Sequence, residues 1–123
     1  MAYVVVWMDT DEAKLFTFLP GEVKKDSVKI SAQEAKAAHD RDHHKEPTHF
    51  YHDIINKVKG ATEILLVGPG VAKTHFVHHI EKHNHGDLKK KIVGVQNMDH
   101  PTDKQIVAEA RKFFKAHDLF ESI

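Results

Sequence analysis

The chain has 123 residues, 41% of them hydrophobic, which is the size of one globular domain built around one core. It contains no cysteine, which excludes disulfides, thiolate nucleophiles and every cysteine-containing zinc or iron–sulfur motif. Eighteen Lys and Arg residues balance eighteen Asp and Glu residues, so no net field favours general nucleic-acid binding, whereas twelve histidines make the charge sensitive to mild acid.

Nothing in the sequence indicates a membrane protein. No apolar run reaches the roughly 18 residues of a membrane span, and the acidic residues after the first apolar segment do not fit a signal peptide. We therefore expect a cytoplasmic protein that makes no contact with a membrane.

The N-terminal part of the chain predicts three antiparallel strands. The segment YVVVWMD is β-branched and aromatic, the acidic turn TDEA follows, and KLFTFL alternates apolar with polar residues. These two segments predict a hairpin. The segment VKKDSVKI alternates more weakly, which favours a third strand at the edge of the sheet.

The middle of the chain predicts a loop, a helix and a strand. Residues 35–46 contain almost no large apolar side chain, so we expect an exposed histidine-rich loop. Residues 49–59 place their apolar side chains on one helical face, and Gly60 is predicted to end this helix in the left-handed conformation. The run EILLVG is typical of a central strand buried on both faces.

The last part of the chain alternates helices and strands. A second helix is predicted over residues 71–84, the next strand is KIVGVQN, and a third helix begins in the capping-box register of Thr102 and Gln105. The order β-β-β-α-β-α-β-α predicts an α/β fold, a three-layer α/β/α sandwich with a mixed sheet. We expect a single domain over residues 1–123.

The segment GPGVAKT lies between the predicted central strand and the second helix, and it is similar to a phosphate-binding loop. A Walker loop needs glycines one and six residues before its lysine, and the chain has Ala72 and Val67 there. Two interpretations stay open. Backbone amides at the start of a helix can hold an anion, which gives the candidates Gly68, Gly70, Lys73 and Thr74. Alternatively, the glycines only allow a sharp turn and the lysine is solvated.

The histidines raise the alternative of a metal site. Three of them form an i, i+4, i+8 stripe on the predicted second helix, which could share an ion or simply pack along the border of the apolar face. Others lie in the predicted loop, where adventitious binding of a transition metal is the simpler expectation. The candidate ligands are His39, His43, His44, His75, His79 and His83. No serine or threonine stands in a recognisable nucleophile motif, so we predict no catalytic residue and no cofactor.

The segments VVVWMDTDEAKLFTF, HFYHDIINKVKGATEILLVGPGVAKTHFVHHIEKH and IVGVQNMDHPTDKQIVAEARKFF, with the histidine-rich loop between the first two, resemble the bacterial and archaeal relatives of the eukaryotic peptide-chain release factor. The resemblance is to the C-terminal, third domain, which Pelota also has and whose fold is similar to that of kink-turn-binding ribosomal proteins. Small stand-alone proteins of this type are often called translational machinery proteins. The stretch KGATEILLVGPG carries the resemblance most strongly.

The resemblance implies binding rather than catalysis. Peptide release in this family depends on a GGQ motif in another domain, and the chain contains no such tripeptide. The third domain of the full-length factors contacts a translational GTPase and the ribosome, so these are the implied partners, and a specific contact with RNA stays open. The rival hypotheses are a protein that binds a small anion or nucleotide at the Gly68–Lys73 turn, and a histidine-based metal binder.

Overall fold

Three antiparallel strands begin the fold. The computed structural model describes residues 2–40, 45–83 and 85–116. Strand β1 spans Tyr3–Met8, β2 spans Glu12–Leu19 and β3 spans Glu22–Lys29. Each neighbouring pair is antiparallel, which confirms the hairpin and the third strand.

The rest of the chain supplies two strands and five helices in the described ranges. They are α1 (Ala32–Ala38), α2 (Thr48–Val58), β4 (Glu63–Gly68), α3 (Ala72–Lys82), α4 (Gly86–Lys91), β5 (Ile92–Asn97) and α5 (Asp103–Ala116). None of these helices combines the length and the apolar character that a membrane span requires.

The sheet is mixed and is covered on both faces. Its order is β3-β2-β1-β4-β5, with β4 parallel to both β1 and β5. Side chains from α2, α3 and α4 pack on one face, and side chains from α5 pack on the other. The three-layer α/β/α architecture is therefore confirmed, with β3 at an edge and β4 central as expected.

The region expected to be a loop from residue 35 to 46 begins as a helix. Helix α1 buries no side chain, and the Ser31 hydroxyl caps it by accepting a hydrogen bond from the Glu34 amide at 3.1 Å. The Glu34 carboxylate in turn accepts from the amides of His49 and Phe50 at the start of α2. Alanine-rich composition and capping thus replace an apolar face, while the expected exposure is largely right. Residues 41–44 lie outside the described ranges.

Two other predictions about helix ends are wrong. Gly60 does not have a positive φ; α2 ends at Val58, Lys59 is right-handed (φ −55°, ψ −35°), and the Ala61 amide donates to the Val58 carbonyl. Helix α3 ends at Lys82 rather than near residue 84, and the separate helix α4 follows. Helix α4 has six residues, which is too few for a periodic apolar pattern in the sequence.

Candidate functional site

A groove of about 570 Å³ opens where β1 ends and α3 begins. Its lining comes from the β1–β2 turn, the end of α1, the start of α2 and one side of α3, and includes Asp9, His39, Glu46, Phe50, Val71 and His75. Crevices at the carboxyl ends of parallel strands are the usual ligand-binding places of α/β sheets. The groove is therefore the first place to look for a function.

The turn between β4 and α3 forms part of this edge. Gly68 has φ 149° and Gly70 has φ 59°, so both use backbone conformations that favour glycine. A Cβ on Gly68 would overlap the carbonyl oxygen of Met8, whereas a Cβ on Gly70 would meet open space. The turn is thus pressed against the end of β1 at Gly68.

Lys73 is buried beneath this turn, with only 3% of its surface exposed. Its Nζ donates hydrogen bonds to the carbonyls of Gly68 (2.6 Å) and Gly70 (2.9 Å) and to Oδ1 of Asn97 (3.0 Å). Burial lowers the pKa of this ammonium, and the three oxygens compensate for its lost hydration. The interpretation that Lys73 is solvated is therefore wrong. From the first turn of α3, its ammonium reaches three oxygen atoms of the turn and of β5 instead of water.

The four candidate anion-binding residues are neighbours: Gly68 ends β4, Gly70 lies in the turn, and Lys73 and Thr74 lie in the first turn of α3. Their polar groups do not face one common site open to solvent. The ammonium of Lys73 is engaged with the turn itself, and Thr74 is exposed. An anion at the start of α3 would have backbone amides as its donors and would lack the lysine. Anion binding here stays a prediction.

The three histidines of the stripe on α3 differ in burial and in their neighbours. Ala72, Phe76 and Ile80 form the buried face of α3, and His75 is exposed. His79 is fully buried, and its ring lies 4.3 Å from that of His83. The stripe therefore brings two of its three imidazoles together.

A carboxylate that the sequence analysis missed completes this cluster. Oε1 of Glu46 lies 2.9 Å from Nδ1 of His79, and Oε2 lies 3.8 Å from Nε2 of His83. Among the described residues, Glu46, His79 and His83 are the group whose donor atoms could hold a metal ion. Spacing could not reveal Glu46, because it precedes His79 by 33 residues and lay in a predicted loop.

The environment of His79 favours a neutral imidazole. Burial lowers its pKa, and the neighbouring His83 and His52 lower it further, while the hydrogen bond and charge of Glu46 oppose this shift. The ring of Tyr51 lies 5.0 Å away, and burial raises the pKa of Tyr51 to about 12. A neutral imidazole keeps a lone pair that a metal ion or a proton can take.

The other candidate ligands are elsewhere. His39 follows α1, is exposed, and has its Nε2 3.6 Å from Oδ1 of Asp11. His43 and His44 lie outside the described residues.

Comparison with known proteins identifies the type of fold. No protein-family model matches the sequence, and no curated protein matches it. The solved structures that match include Pelota proteins and translation termination factors, so the predicted resemblance is confirmed at the level of the fold.

Three of these structures illustrate the match. The chain is 22% identical to the Pelota protein of Thermoplasma acidophilum, with a TM-score of 0.64 over 94% of this chain and 32% of that one. It is 15% identical to the archaeal translation termination factor aRF1 (TM-score 0.53, 90% of this chain and 34% of that one). It is 14% identical to S. cerevisiae Dom34, a translation termination-like factor involved in RNA quality control pathways and interacting with Hbs1 (TM-score 0.52, 96% and 38%). The chain thus spans about a third of each protein.

Proposed function

We propose that the chain is a non-catalytic, cytoplasmic binding module of the translation machinery that docks to the ribosome or to a translational GTPase. The observation that carries this proposal is the fold match, which covers at least 90% of the chain but only about a third of each factor. A chain that corresponds to one part of a larger factor is expected to supply one of its contacts. One of the matched proteins interacts with Hbs1, which supports a protein partner.

The groove at the carboxyl edge of the sheet is the docking surface in this proposal. Val71 at its rim is 60% exposed, next to walls formed by the buried side chains of Phe50 and Ala72. An exposed apolar side chain beside an apolar depression, rimmed by histidine and lysine, has the composition of a protein-binding surface. The second exposed large apolar residue, Val95, lies on the edge strand β5.

The buried state of Lys73 weakens the rival hypothesis of a nucleotide site. A phosphate loop needs a lysine that reaches the phosphates, and this ammonium already has three oxygen partners. Binding of ATP or GTP with micromolar affinity in a calorimetric titration would contradict the docking proposal.

Capture from a native lysate of the source organism tests the proposal. Tagged protein is incubated with lysate, with and without nuclease, and the bound material is examined for ribosomal proteins, ribosomal RNA and translational GTPases. Recovery of ribosomes that is lost after nuclease treatment indicates docking through RNA, and recovery of a GTPase that survives indicates a direct protein contact. Recovery of neither ribosomes nor a translational GTPase would overturn the proposal.

A further inference from the structure

The cluster of Glu46, His79 and His83 has the donor atoms and the spacing of a metal site. One donor atom from each residue can be chosen so that all three lie within 4.8 Å of one another. A tetrahedral zinc ion with bonds of ~2.0–2.1 Å would hold its donors about 3.3 Å apart, so donor atoms that are up to 4.8 Å apart need to approach by up to about 1.5 Å. Glu46 and His83 can do so, because their side chains are 31% and 40% exposed.

The position of His79 indicates that its imidazole serves more than packing. Its side chain is completely buried, and its Nε2 has no hydrogen-bond partner in the described structure. Burying a polar nitrogen without a partner is unfavourable, and an apolar side chain of similar size would avoid this cost. Nδ1 of this histidine faces the carboxylate of Glu46, and the proton on Nδ1 has to move to Nε2 before Nδ1 can bind a metal ion.

The charges around the cluster suit a divalent cation. Glu46 supplies one negative charge, and its Oε1 lies 2.9 Å from Nδ1 of His79. The competing cation is Lys82, whose Nζ lies 4.0 Å from Oε2 of Glu46. Its side chain is 67% exposed and can leave this carboxylate at little cost.

We propose that Glu46, His79 and His83 bind one divalent transition-metal ion, with zinc as the ion that the ligand chemistry favours. Two imidazoles and one carboxylate are a three-ligand set that zinc uses in proteins, with the fourth position left for water or another ligand. The two histidines lie four residues apart and are held by the same helix end, while Glu46 comes from the segment that leads into α2. A bound ion would therefore link the start of α2 to the end of α3.

Calorimetric titration of the metal-free protein with Zn²⁺ tests this site. We expect one ion per chain, and at least a tenfold loss of affinity in each of the variants Glu46→Gln and His83→Gln. His75→Gln is the matched control, because His75 is the exposed member of the same stripe and lies one turn from His79 on the other side. It should stay within twofold of the wild type.

Two further measurements separate the site from binding elsewhere. The double variant His43→Gln and His44→Gln should bind like the wild type, and Co²⁺ should give a visible ligand-field spectrum that Glu46→Gln loses. Melting curves without metal establish that Glu46→Gln and His83→Gln are folded, which avoids any need to substitute the buried His79. Absence of stoichiometric binding, equal losses in His75→Gln and His83→Gln, or loss in the double variant would overturn the proposal.

Discussion

The ammonium of Lys73 joins three places in the chain: the end of β4 at Gly68, the following turn at Gly70, and the end of β5 at Asn97. Each partner is an oxygen, and hydrogen bonds to a charged group are roughly twice as strong as neutral ones. The side chain therefore acts as a cross-link between two parallel strands and the helix that connects them. Its charge is part of the fold rather than of a ligand site.

Removing this cross-link should destabilise the protein. Lys73→Met keeps most of the apolar stem but removes the donor, and we expect it to lower the free energy of unfolding by about 2–3 kcal/mol, because hydrogen bonds to charged groups contribute about 1.5–3 kcal/mol. The melting temperature should fall by roughly 8–12 °C. Lys82→Met on the same helix, with a side chain that is 67% exposed, should change it by less than about 2 °C. Equal effects of the two substitutions would show that Lys73 is solvated after all.

At the level of elements, periodicity predicted those that bury an apolar face. Strands β1, β2 and β4 and helices α2, α3 and α5 each bury several apolar side chains. Strand β3 buries only Val28, and β5 packs the half-buried Ile92 and Val93 against the two cores. The capping box is present, with the Thr102 amide donating to Gln105 and the Gln105 amide donating to the Thr102 hydroxyl. Helix α1 buries no side chain and α4 buries only Leu88, so neither gives an apolar pattern. Such helices are stabilised by capping and by local helix propensity, and both are harder to recognise in a sequence than a periodic apolar pattern.

The sequence predicted only those contacts of the candidate site that form between residues close together in the chain. The spacing of His79 and His83 shows that two imidazoles share a helix face, but the partner Glu46 is brought in by the path of the chain between α1 and α2. The burial of Lys73 also depends on Asn97, which is 24 residues away. Contacts across such separations depend on tertiary packing, which no short motif encodes.

The turn between β4 and α3 provides a test of how closely this element is packed on β1. Gly68→Ala places a methyl group on the Met8 carbonyl oxygen at a positive φ, whereas Gly70→Ala meets only the cost of the positive φ. We expect losses of at least about 3 kcal/mol for Gly68→Ala and about 1–2 kcal/mol for Gly70→Ala. Urea unfolding curves measure both, and a larger effect at Gly70 would mean that the turn does not contact β1.

The first residue of α5 forms ion pairs with the strands β2 and β3. Asp103 pairs with Lys25 on β3 at 2.5 Å and with Lys14 on β2 at 3.6 Å. The hydrogen bond from Lys25 holds the pKa of Asp103 below its ordinary value of 3.8. A lowered carboxyl pKa stabilises the fold above this value, and the contribution is lost as the pH falls through the folded pKa.

The substitution Asp103→Asn should therefore have an effect that depends on pH. Because the side chains of Asp103 and Lys25 are 41% and 49% exposed, we expect the variant to lose at most about 1 kcal/mol of unfolding free energy at pH 7. This loss should shrink as the pH is lowered from 5 to 3. Denaturant unfolding of the wild type and the variant at each pH measures the difference. A stability difference between wild type and variant that grows in acid would contradict the assignment of these ion pairs to the ionised carboxylate of Asp103.

At the level of the whole molecule, the two faces of the sheet are covered and the carboxyl edge is left with a groove. Helices α2, α3 and α4 cover one face and α5 covers the other. In the described structure, large apolar side chains are exposed at two places, which are the groove beside Val71 and the edge strand that carries Val95. The fold corresponds to about a third of Pelota-type and termination factors. The docking proposal assigns the contact to the groove, and the edge strand that carries Val95 lies outside it.

Binding of the purified, fluorescently labelled chain to purified ribosomes and, separately, to a purified translational GTPase with a non-hydrolysable GTP analogue tests the docking proposal most directly. We expect saturable binding to one of the two, weakened at least tenfold by Val71→Asp and changed less than twofold by Val95→Asp, because only the first substitution puts a charge at the groove. The absence of saturable binding to both partners would contradict the proposal that this chain is a docking module of the translation machinery.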